Sequence, residues 1–438
     1  MLHFSNKTIK MTKQNNFPTL NNNSKTPSFF RLTLVGLIGN VMEWYDFAVY
    51  GYFAVIIGQL YFPSKNPTIS LIASFGAFAA GFLARPLGGI IFGRIGDLVG
   101  RQRAMLLSVI TMAVPTVMMG LLPTYESIGI LAPILLVLLR LIQGLSVGGE
   151  YTSSLIFMVE NAPPNRRAFS AVWGAWGASA GILLGSGVGY LMNVILTINQ
   201  LHLWGWRIPF ILGGGVAFFG FILRRGFHSE ETLSRSKSPT RDIFTVYRKD
   251  ILRVILLNIG FSAGFYTLFV YTVNFLQQVA KFSNEKALRN NSIAMVMLLI
   301  IMPIAAKFAD KYGRKKVLGV GFTLLALTAV PLFHVMGQGI RWVTLGCQFG
   351  LALPLGIISG AMAAINVELM PRDVRCTGLA FSYNLAVGIF GGVTPLVVTW
   401  LTDYLQKPSA PGYWVAGCAT ISALTLFFFV RETRNTNL

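Results

Sequence analysis

Long apolar runs alternate with short polar loops along most of the 438-residue chain. A helix that crosses the hydrocarbon core of a bilayer needs about 20 predominantly apolar residues. The pattern therefore predicts an all-α integral membrane protein with about twelve transmembrane helices, whose two termini lie on the same side of the membrane. The predicted spans begin near Leu32, Ile69, Ala104, Ile130, Ala168, Ile208, Ile251, Ser292, Val317, Val343, Thr377 and Tyr413.

Two polar stretches divide this pattern into domains. Residues 1–30 are rich in Asn, Lys, Ser and Thr and lack the apolar core of a signal peptide, so we expect a disordered cytoplasmic tail. Residues 225–250 form the longest internal polar stretch and are interpreted as a cytoplasmic linker, with lipid or phosphate binding as the alternative. The two predicted six-helix bundles are residues 31–224 and 251–432.

Composition and charge agree with a bilayer environment. Hydrophobic residues make up 54% of the chain and charged residues 12%, whereas soluble proteins carry about a quarter charged residues. A net charge of +20 would suggest nucleic acid in a soluble protein. Here Lys and Arg cluster in loops on one side of the predicted membrane, which indicates cytoplasmic termini and no nucleic-acid partner. The cysteines and histidines show no metal-ligand spacing, so no metal is expected.

Two short motifs occur once in each half of the chain. The pattern Asp-x-x-Gly-Arg spans Asp97–Arg101 and recurs at Asp310–Arg314, an offset of 213 (310 minus 97). The pattern Glu-x-x-Pro-x-x-x-Arg spans Glu160–Arg167 and recurs at Glu368–Arg375, an offset of 208 (368 minus 160). Nearly equal offsets indicate duplicated halves, which are typical of one large class of transporters.

Both repeated motifs fall at predicted cytoplasmic helix ends. A carboxylate there can accept backbone N–H groups of a helix or pair with an arginine of a neighbouring helix. Such contacts can break and re-form, which suits a gate; the alternative is a tight turn with no switching role. The predicted cytoplasmic gate comprises Asp97, Gly100, Arg101, Arg103, Glu160, Arg167, Asp310, Gly313, Arg314, Glu368 and Arg375.

Several ionisable residues lie inside predicted spans of the first half. A charge at mid-membrane costs about 2.5–3.5 kcal/mol on insertion scales, so each is a candidate for function. A proton-coupled carrier needs a carboxyl whose pKa crosses ambient pH when an arginine or substrate moves. Permanent salt bridges that hold the first half together are the alternative. The predicted coupling residues are Glu43, Asp46, Arg85, Arg140 and Glu150.

Uncharged polar residues are the candidates for substrate contact. The second half lacks an obvious mid-membrane charge, which suggests proton handling in the first half and substrate contact in the second. Each of these residues has helix packing as its alternative role. The candidate substrate-binding residues are Asn40, Tyr50, Asn258, Tyr266, Tyr383 and Asn384.

Four segments of the first half resemble the major facilitator superfamily and, within it, the metabolite:proton symporter family. They are Gly39–Phe47, Arg85–Gly93, Arg140–Tyr151 and Trp204–Phe210. The resemblance implies a monomeric carrier of the bacterial inner membrane that moves a small organic acid or zwitterion together with protons. Dicarboxylates, α-ketoglutarate, proline and betaine are the substrates that it suggests.

Other functions of such a chain stay open at this point. An exporter or exchanger with the same fold would have the same helices and loops. A membrane-embedded receptor or enzyme is a different class, but the sequence offers no nucleophile–base set, metal cluster or appended domain for one. The absence of a Gly-Lys-Ser/Thr phosphate loop argues against ATP as the energy source. We therefore expect no enzymatic activity, no cofactor and a proton gradient as the driving force.

Overall fold

The computed structural model describes residues 29–65, 67–225, 239–434 and 436. Twelve long helical segments alternate in direction along this part of the chain, which confirms the predicted helical membrane fold. Their bounds are Phe29–Tyr61 (α1), Pro67–Leu98 (α2), Arg101–Leu121 (α3), Leu131–Glu160 (α4), Arg167–Ile195 (α5), Arg207–Arg225 (α6), Arg248–Tyr266 continued by Thr267–Tyr271 and Thr272–Gln278 (α7), Asn284–Tyr312 (α8), Arg314–Met336 (α9), Arg341–Glu368 (α10), Arg375–Ala386 continued by Val387–Gly391 and Thr394–Leu405 (α11), and Ala410–Phe429 (α12).

Short helical turns connect several of these segments, and the described residues contain no β-strand. Two of the long helices, α7 and α11, contain a π-helical turn in the middle. Eight helices in the described part of the chain are long and apolar enough to cross a membrane. The connecting turns are Tyr125–Ile128, Pro164–Arg166, Ile198–Gln200, Leu201–Gly205, Pro239–Thr245 and Arg372–Val374.

The bundles have an apolar interior that also holds charged side chains, and they carry large apolar side chains on the outside. Asp46 and Arg140 are buried among hydrophobic residues, whereas Leu83 and Phe428 are 80% and 75% exposed. Exposed apolar side chains of this size fit a lipid environment, because lipid solvates apolar side chains and leaves polar ones without partners. The exposed apolar side chains therefore form the surface that faces lipid.

Glycines let helices within each half approach closely. In the first half, α2 crosses α4 where a Cβ at Gly144 would collide with the carbonyl oxygen of Gly81, and one at Gly148 with that of Arg85. In the second half, α8 crosses α10, and a Cβ at Gly360 would lie 2.7 Å from the Cβ of Ala305. Since apolar side chains gain little by leaving lipid, such close packing is a main source of helix association in a membrane.

Helices α1–α6 and α7–α12 form two bundles that meet mainly where α2 and α4 pack against α11 and where α5 packs against α8 and α10. The two repeated loops, α2 to α3 and α8 to α9, lie at the same end of the molecule because the helices alternate in direction. We call this end the basic face and the other end the opposite face. The site described below lies between the two bundles.

The connection between the bundles is partly helical. Residues 226–238, which contain much of the predicted linker, lie outside the described residues, as do residues 1–28 of the predicted tail. The turn Pro239–Thr245 lies against α11 with Ile243 buried, and α7 begins at Arg248. The Tyr247 hydroxyl donates a hydrogen bond to Asp373 (3.3 Å). Partial burial, together with this carboxylate, raises the pKa of the Tyr247 phenol.

The helix crossing in the first half gives a test of this packing. Gly144→Val should separate α2 from α4 and lower the thermal unfolding midpoint in detergent, because overpacking destabilises by about 1–3 kcal/mol. Gly187→Val is the matched control, since nothing lies within 4 Å of a Cβ at Gly187. Equal unfolding midpoints for the two variants would contradict the proposed packing.

Candidate functional site

An ion pair lies in the core of the first bundle. Arg140 of α4 donates through Nη1 to the Oδ2 atom of Asp46 on α1 (3.1 Å), and both side chains are buried. Gln143, one helical turn after Arg140, donates to the same oxygen (2.9 Å) and accepts from Arg140 (3.0 Å). Gln143 also donates to Thr116 of α3 (2.8 Å). Three helices therefore converge on one carboxylate.

This ion pair is incompletely satisfied. The Oδ1 atom of Asp46 and the Nε and Nη2 atoms of Arg140 are buried without a hydrogen-bond partner. The guanidinium of Arg140 instead lies over the ring of Tyr50, 3.7 Å from its centre. A buried carboxylate with an open oxygen can accept a proton, and a neighbouring arginine can be released when it does. The arrangement therefore has the chemistry of a proton-binding site.

The second buried arginine connects the two halves. Arg85 of α2 donates through Nε to the Oδ1 atom of Asn384 on α11 (3.2 Å), and Asn384 donates to the carbonyl oxygen of Gly148 on α4 (2.6 Å). The Arg85 guanidinium also lies 5.4 Å from the ring of Trp44, and its Nη2 atom has no partner. Glu43 is buried as well. A cation with a free donor is therefore held beside the interface of the bundles.

A narrow cavity lies between the two bundles; its free volume of about 30 Å³ holds about one water molecule. Three polar atoms of side chains in its wall are buried without a hydrogen-bond partner: Trp44 Nε1, Ser262 Oγ and the Tyr266 hydroxyl. Buried polar groups are normally paired, so these three atoms can hydrogen-bond to water or to a ligand in the cavity. The wall comprises Trp44, Tyr151, Ala175, Ala178, Ser179, Ile182, Phe261, Ser262, Phe265, Tyr266, Ser359, Tyr383 and Val387.

Rings from both halves form much of this wall. Tyr151 of the first half stacks on Tyr383 of the second, with ring centres 4.8 Å apart. A second space of about 320 Å³ adjoins the cavity at Trp44 and Tyr266 and extends along the helices toward the opposite face. At this junction Phe82 meets Tyr266 edge to face, with ring centres 6.4 Å apart. A ligand could therefore approach the cavity from the opposite face between aromatic rings.

Two of the six candidate substrate residues, Tyr266 and Tyr383, line the cavity. The other four are engaged elsewhere. Asn40 donates to Ser154 of the same half, and Asn258 exchanges two hydrogen bonds with Asn366. Tyr50 donates to the carbonyl oxygen of Ser74, and Asn384 is bonded to Arg85 and Gly148. Their amide and hydroxyl groups pack helices together, which is the alternative that sequence reasoning left open.

Sequence reasoning did not select Trp44, Tyr151, Ser179, Ser262, Phe265 or Ser359 as candidate substrate residues. Trp44 and Tyr151 do belong to the segments that carry the family resemblance, which was a usable signal. The serines carry no signal, since small residues are common wherever membrane helices pack. Gln143 stands three residues from Arg140 in the sequence, a spacing that places both on one helix face. The side chains of Glu150 and Arg101 lie outside the described part of the structure.

The repeated aspartate of the first half caps a helix of the second. Asp97, at the end of α2, accepts hydrogen bonds from the backbone N–H groups of Cys376 (3.0 Å) and Thr377 (2.8 Å) in the first turn of α11. The Thr377 hydroxyl donates to the same carboxylate (2.7 Å). The first N–H groups of a helix lack partners and form the positive end of its dipole. A buried carboxylate at this position therefore holds the two halves together.

The repeated aspartate of the second half makes the equivalent contact, because it caps a helix of the first half. Asp310, at the end of α8, accepts from the backbone N–H groups of Ala168 (3.0 Å) and Phe169 (2.9 Å) in the first turn of α5. Asp310 also pairs with Arg314 (3.2 Å) in its own half. The two capping contacts therefore join equivalent residues of the two repeats.

The glycine of each repeated loop has a backbone conformation that favours glycine. Gly100 has a φ angle of 120° and Gly313 has one of 105°, and each joins one long helix to the next. A side chain at Gly313 would also collide with Glu432, whose Oε2 atom would lie 2.5 Å from the Cβ. The glycine of Asp-x-x-Gly-Arg is therefore required by the turn, which keeps the aspartate at the helix end.

Ion pairs surround the two capped helix ends. Glu160 of the first half pairs with Arg375 of the second (2.6 Å). Arg314 is fully buried and pairs with Glu368 (3.1 Å) within the second half. Arg103, also predicted in the gate, is exposed. The gate residues thus divide into pairs that cross between the halves and pairs that brace one half.

The segment after α12 makes further hydrogen bonds at the basic face, which were not predicted from the sequence. Glu432 accepts from the backbone N–H groups of Arg314 (2.9 Å) and Lys315 (3.0 Å), so it caps the start of α9. Thr433 donates to Glu368 (2.5 Å). Arg167 of the first half donates to the carbonyl oxygen of Thr436 (2.7 Å). This segment therefore ties the two halves together on the basic face, where the structure is closed.

The capping aspartates give a test of the closed face. Asp97→Asn and Asp310→Asn should each open the basic face, because loss of a carboxylate at a helix N-terminus removes about 0.3–2 kcal/mol. Distances between nitroxide labels placed at Arg103 and Arg372, which are exposed on different halves, would report the change. Glu126→Gln removes a charge from an exposed turn at the opposite face and is the control. An unchanged distance distribution in both aspartate variants would contradict the capping role.

Two helical bundles around a central cavity, closed at one face by breakable contacts, define a secondary transporter. Residues 32–233 match the family described as sugar (and other) transporter, and residues 290–438 match the Major Facilitator Superfamily. The chain belongs to the major facilitator superfamily and, within it, to the metabolite:proton symporter family. It is therefore a multi-pass membrane transport protein.

Characterised relatives extend over nearly the whole chain. A glycine betaine/proline/ectoine/pipecolic acid transporter of Dickeya dadantii (strain 3937) is 34% identical over 91% of this chain and 82% of its own length. A citrate-proton symporter of Klebsiella pneumoniae is 31% identical over 90% of both chains. The structure of the proton:xylose symporter XylE bound to 6-bromo-6-deoxy-D-glucose shares the fold, with a TM-score of 0.79, 18% identity, and coverage of 92% of this chain and 96% of that one.

Proposed function

We propose that this protein imports a small zwitterion with protons across a bacterial inner membrane, as a monomer without a cofactor. The observation that carries the proposal is the cavity between the halves, whose wall offers unpaired polar atoms beside aromatic rings. The basic face and both termini lie in the cytoplasm in this proposal, in accordance with the positive-inside rule. The structure then represents a state closed toward the cytoplasm.

The character of the cavity wall favours a zwitterion as the substrate. Six of the residues in the wall are Trp, Tyr or Phe from both halves: Trp44, Tyr151, Phe261, Phe265, Tyr266 and Tyr383. Aromatic faces attract ammonium groups, and quaternary ammonium ligands are recognised in this way. A carboxylate would be received by the unpaired Nη2 atom of Arg85 and by donors such as Trp44 Nε1. The relative that carries glycine betaine and proline agrees with this choice.

A di- or tricarboxylate is the second candidate substrate, because one relative is a citrate-proton symporter. Such an anion would need several cations at the cavity. None of the described residues in the wall is Lys, Arg or His. Behind the wall, Arg85 lies against the ring of Trp44 and Glu43 precedes Trp44 in the chain, and these two buried residues are of opposite sign. The balance of charge therefore favours a substrate with no net charge over a polyanion.

Proton coupling is assigned to Asp46 with Arg140. The carboxylate has an open oxygen, and the arginine has two unpaired nitrogens beside the Tyr50 ring. Protonation of Asp46 would release Arg140 toward Tyr50 and loosen the junction of α1, α3 and α4. The cavity residue Trp44 stands on α1 two positions before Asp46. A change at the ion pair can therefore reach the substrate site through one helix.

Alternating access requires the contacts at the basic face to break in each cycle. Asp97 and Asp310 would release the first turns of α11 and α5, and the Glu160–Arg375 pair would separate. Each contact can form again, because its groups find water as partners when the face opens. The two bundles then rock about the cavity as rigid units.

Transport by vesicles with an imposed pH gradient tests the coupling role. Wild-type protein should accumulate labelled proline or betaine when the outside is acidic. Asp46→Asn should lose accumulation and keep exchange of substrate across the membrane, because an amide cannot bind the coupled proton. Asp403→Asn, at an exposed carboxylate, is the control and should behave as wild type. Wild-type accumulation by Asp46→Asn would remove Asp46 as the coupling residue, and no response of the wild type to the gradient would remove symport.

Conservative changes in the cavity wall test the substrate site. Tyr266→Phe removes one unpaired donor and keeps the ring, and Trp44→Phe removes one and keeps a smaller aromatic ring, so each should raise the substrate Kd by about threefold to tenfold per lost hydrogen bond. Tyr404→Phe is the control, since Tyr404 is 71% exposed and distant from the cavity along α11. The Kd is measured by calorimetry on purified protein. An unchanged Kd in both cavity variants would place the substrate elsewhere.

A further inference from the structure

A second cleft lies outside the transport cavity, on the basic face between the two halves. It has a volume of about 530 Å³ and opens to solvent. We call it the basic cleft. One side comes from the turn before α5 and the other from the end of α8 and the segment after α12. Its lining residues are Asn165, Arg166, Phe169, Lys307, Asp310, Lys311 and Arg434.

The charges of the basic cleft are unbalanced. Four of its seven lining residues are cations and one is an acid. That acid, Asp310, is already occupied by two backbone N–H groups and by Arg314. Within the described residues, the side chains of Arg166, Lys307, Lys311 and Arg434 form no ion pair with a carboxylate. Four cations that share one concave space repel each other, so the cleft attracts an anion.

Two of the cations are held in place by neighbouring groups. Arg434 donates to the carbonyl oxygen of Lys311 (2.6 Å), which fixes the segment after α12 along the rim. The Nζ atom of Lys307 lies 5.2 Å from the centre of the Phe169 ring of the other half. Freely solvated lysines of a membrane surface would spread apart instead. The cleft is therefore a preformed space with oriented donors.

The expected position of the cleft along the membrane normal matches that of a lipid headgroup. Lys307 precedes the end of α8 at Tyr312 by five residues, or about 7.5 Å of helix rise. Its side chain is exposed, and lysines near the end of a transmembrane helix are expected to extend toward the membrane–water interface. Basic pockets between helices on the cytoplasmic side of a membrane bind phosphate-bearing headgroups. A phosphate oxygen can receive several of these N–H donors at once.

We propose that the basic cleft binds a phosphate-bearing anion, either the headgroup of an anionic phospholipid or a soluble phosphate. Because the lining comes from both halves, a bound phosphate bridges them and stabilises the state that is closed at the basic face. Opening of that face separates Arg166 from Lys307 and Lys311 and destroys the site. The anion thereby shifts the conformational equilibrium by its difference in affinity for the two states. This regulation does not depend on which substrate the cavity binds.

Thermal unfolding of the full chain in lipid nanodiscs tests the proposal. Nanodiscs of phosphatidylcholine with and without phosphatidylglycerol form the lipid arm. Inorganic phosphate, added at constant ionic strength to nanodiscs of phosphatidylcholine alone, forms the soluble arm. The variant Lys307→Gln/Lys311→Gln should lose the stabilisation that the wild type gains, with an apparent affinity weakened by about tenfold or more. Both side chains are exposed, so the variant is expected to fold.

The control removes the same charge from the same face outside the cleft. Arg94→Gln/Arg372→Gln changes two exposed arginines, one on each half, and should keep the wild-type stabilisation. Stabilisation in the lipid arm identifies a headgroup, and stabilisation in the soluble arm identifies a free phosphate; either supports the site. No stabilisation of the wild type in either arm, or equal loss in the cleft variant and the control, would overturn it.

Discussion

A carboxylate at the N-terminus of a helix from the other half is the interaction on which the closed state depends. Asp97 caps α11 and Asp310 caps α5, each through two backbone N–H groups. A single interaction of this kind contributes about 0.3–2 kcal/mol. Two such contacts and the Glu160–Arg375 pair hold the basic face closed. Their modest strength also lets the face open during a transport cycle.

The two halves share this closing device and differ in their cores. The second repeated motif relates α4 to α10 by 208 positions, and that offset places Gln348 at the counterpart of Arg140. Arg140 pairs with Asp46, whereas the amide of Gln348 is buried and unpaired. The second half also uses the reciprocal Asn258–Asn366 pair. Duplication thus preserved the gate, whereas the Asp46–Arg140 ion pair inside the first bundle has no ionic counterpart at Gln348 in the second.

The cavity and the closed face are mechanically connected. Tyr151 and Tyr383 stack at the wall of the cavity, and their helices α4 and α11 continue to Glu160 and Arg375 at the basic face. Asn384, one residue after Tyr383, bonds to Arg85 across the interface. A substrate that contacts these rings therefore acts on the same helices that the gate holds. Substrate binding can therefore shift the equilibrium between the closed and the open state of the basic face, as alternating access requires.

The sequence by itself determined the membrane environment, the helix pattern, the duplication and the loop glycines. These follow from local rules, since hydrophobic length, motif repetition and the turn at Gly100 or Gly313 involve residues close in the chain. It also singled out Asp46, Arg140, Tyr266 and Tyr383, because a charge or a polar ring inside an apolar run is conspicuous.

Only the tertiary structure decided which of these residues meet. Asp97 and Thr377 are 280 positions apart, and Arg85 and Asn384 are 299 apart, so no local pattern relates them. The same holds for Ser262 in the cavity wall and for Glu432 at the start of α9. Asn40 and Asn258 looked equally suited to bind substrate, yet helix packing engages their amides elsewhere. A polar residue in a membrane helix must find a partner, and three-dimensional packing determines whether that partner is protein or substrate.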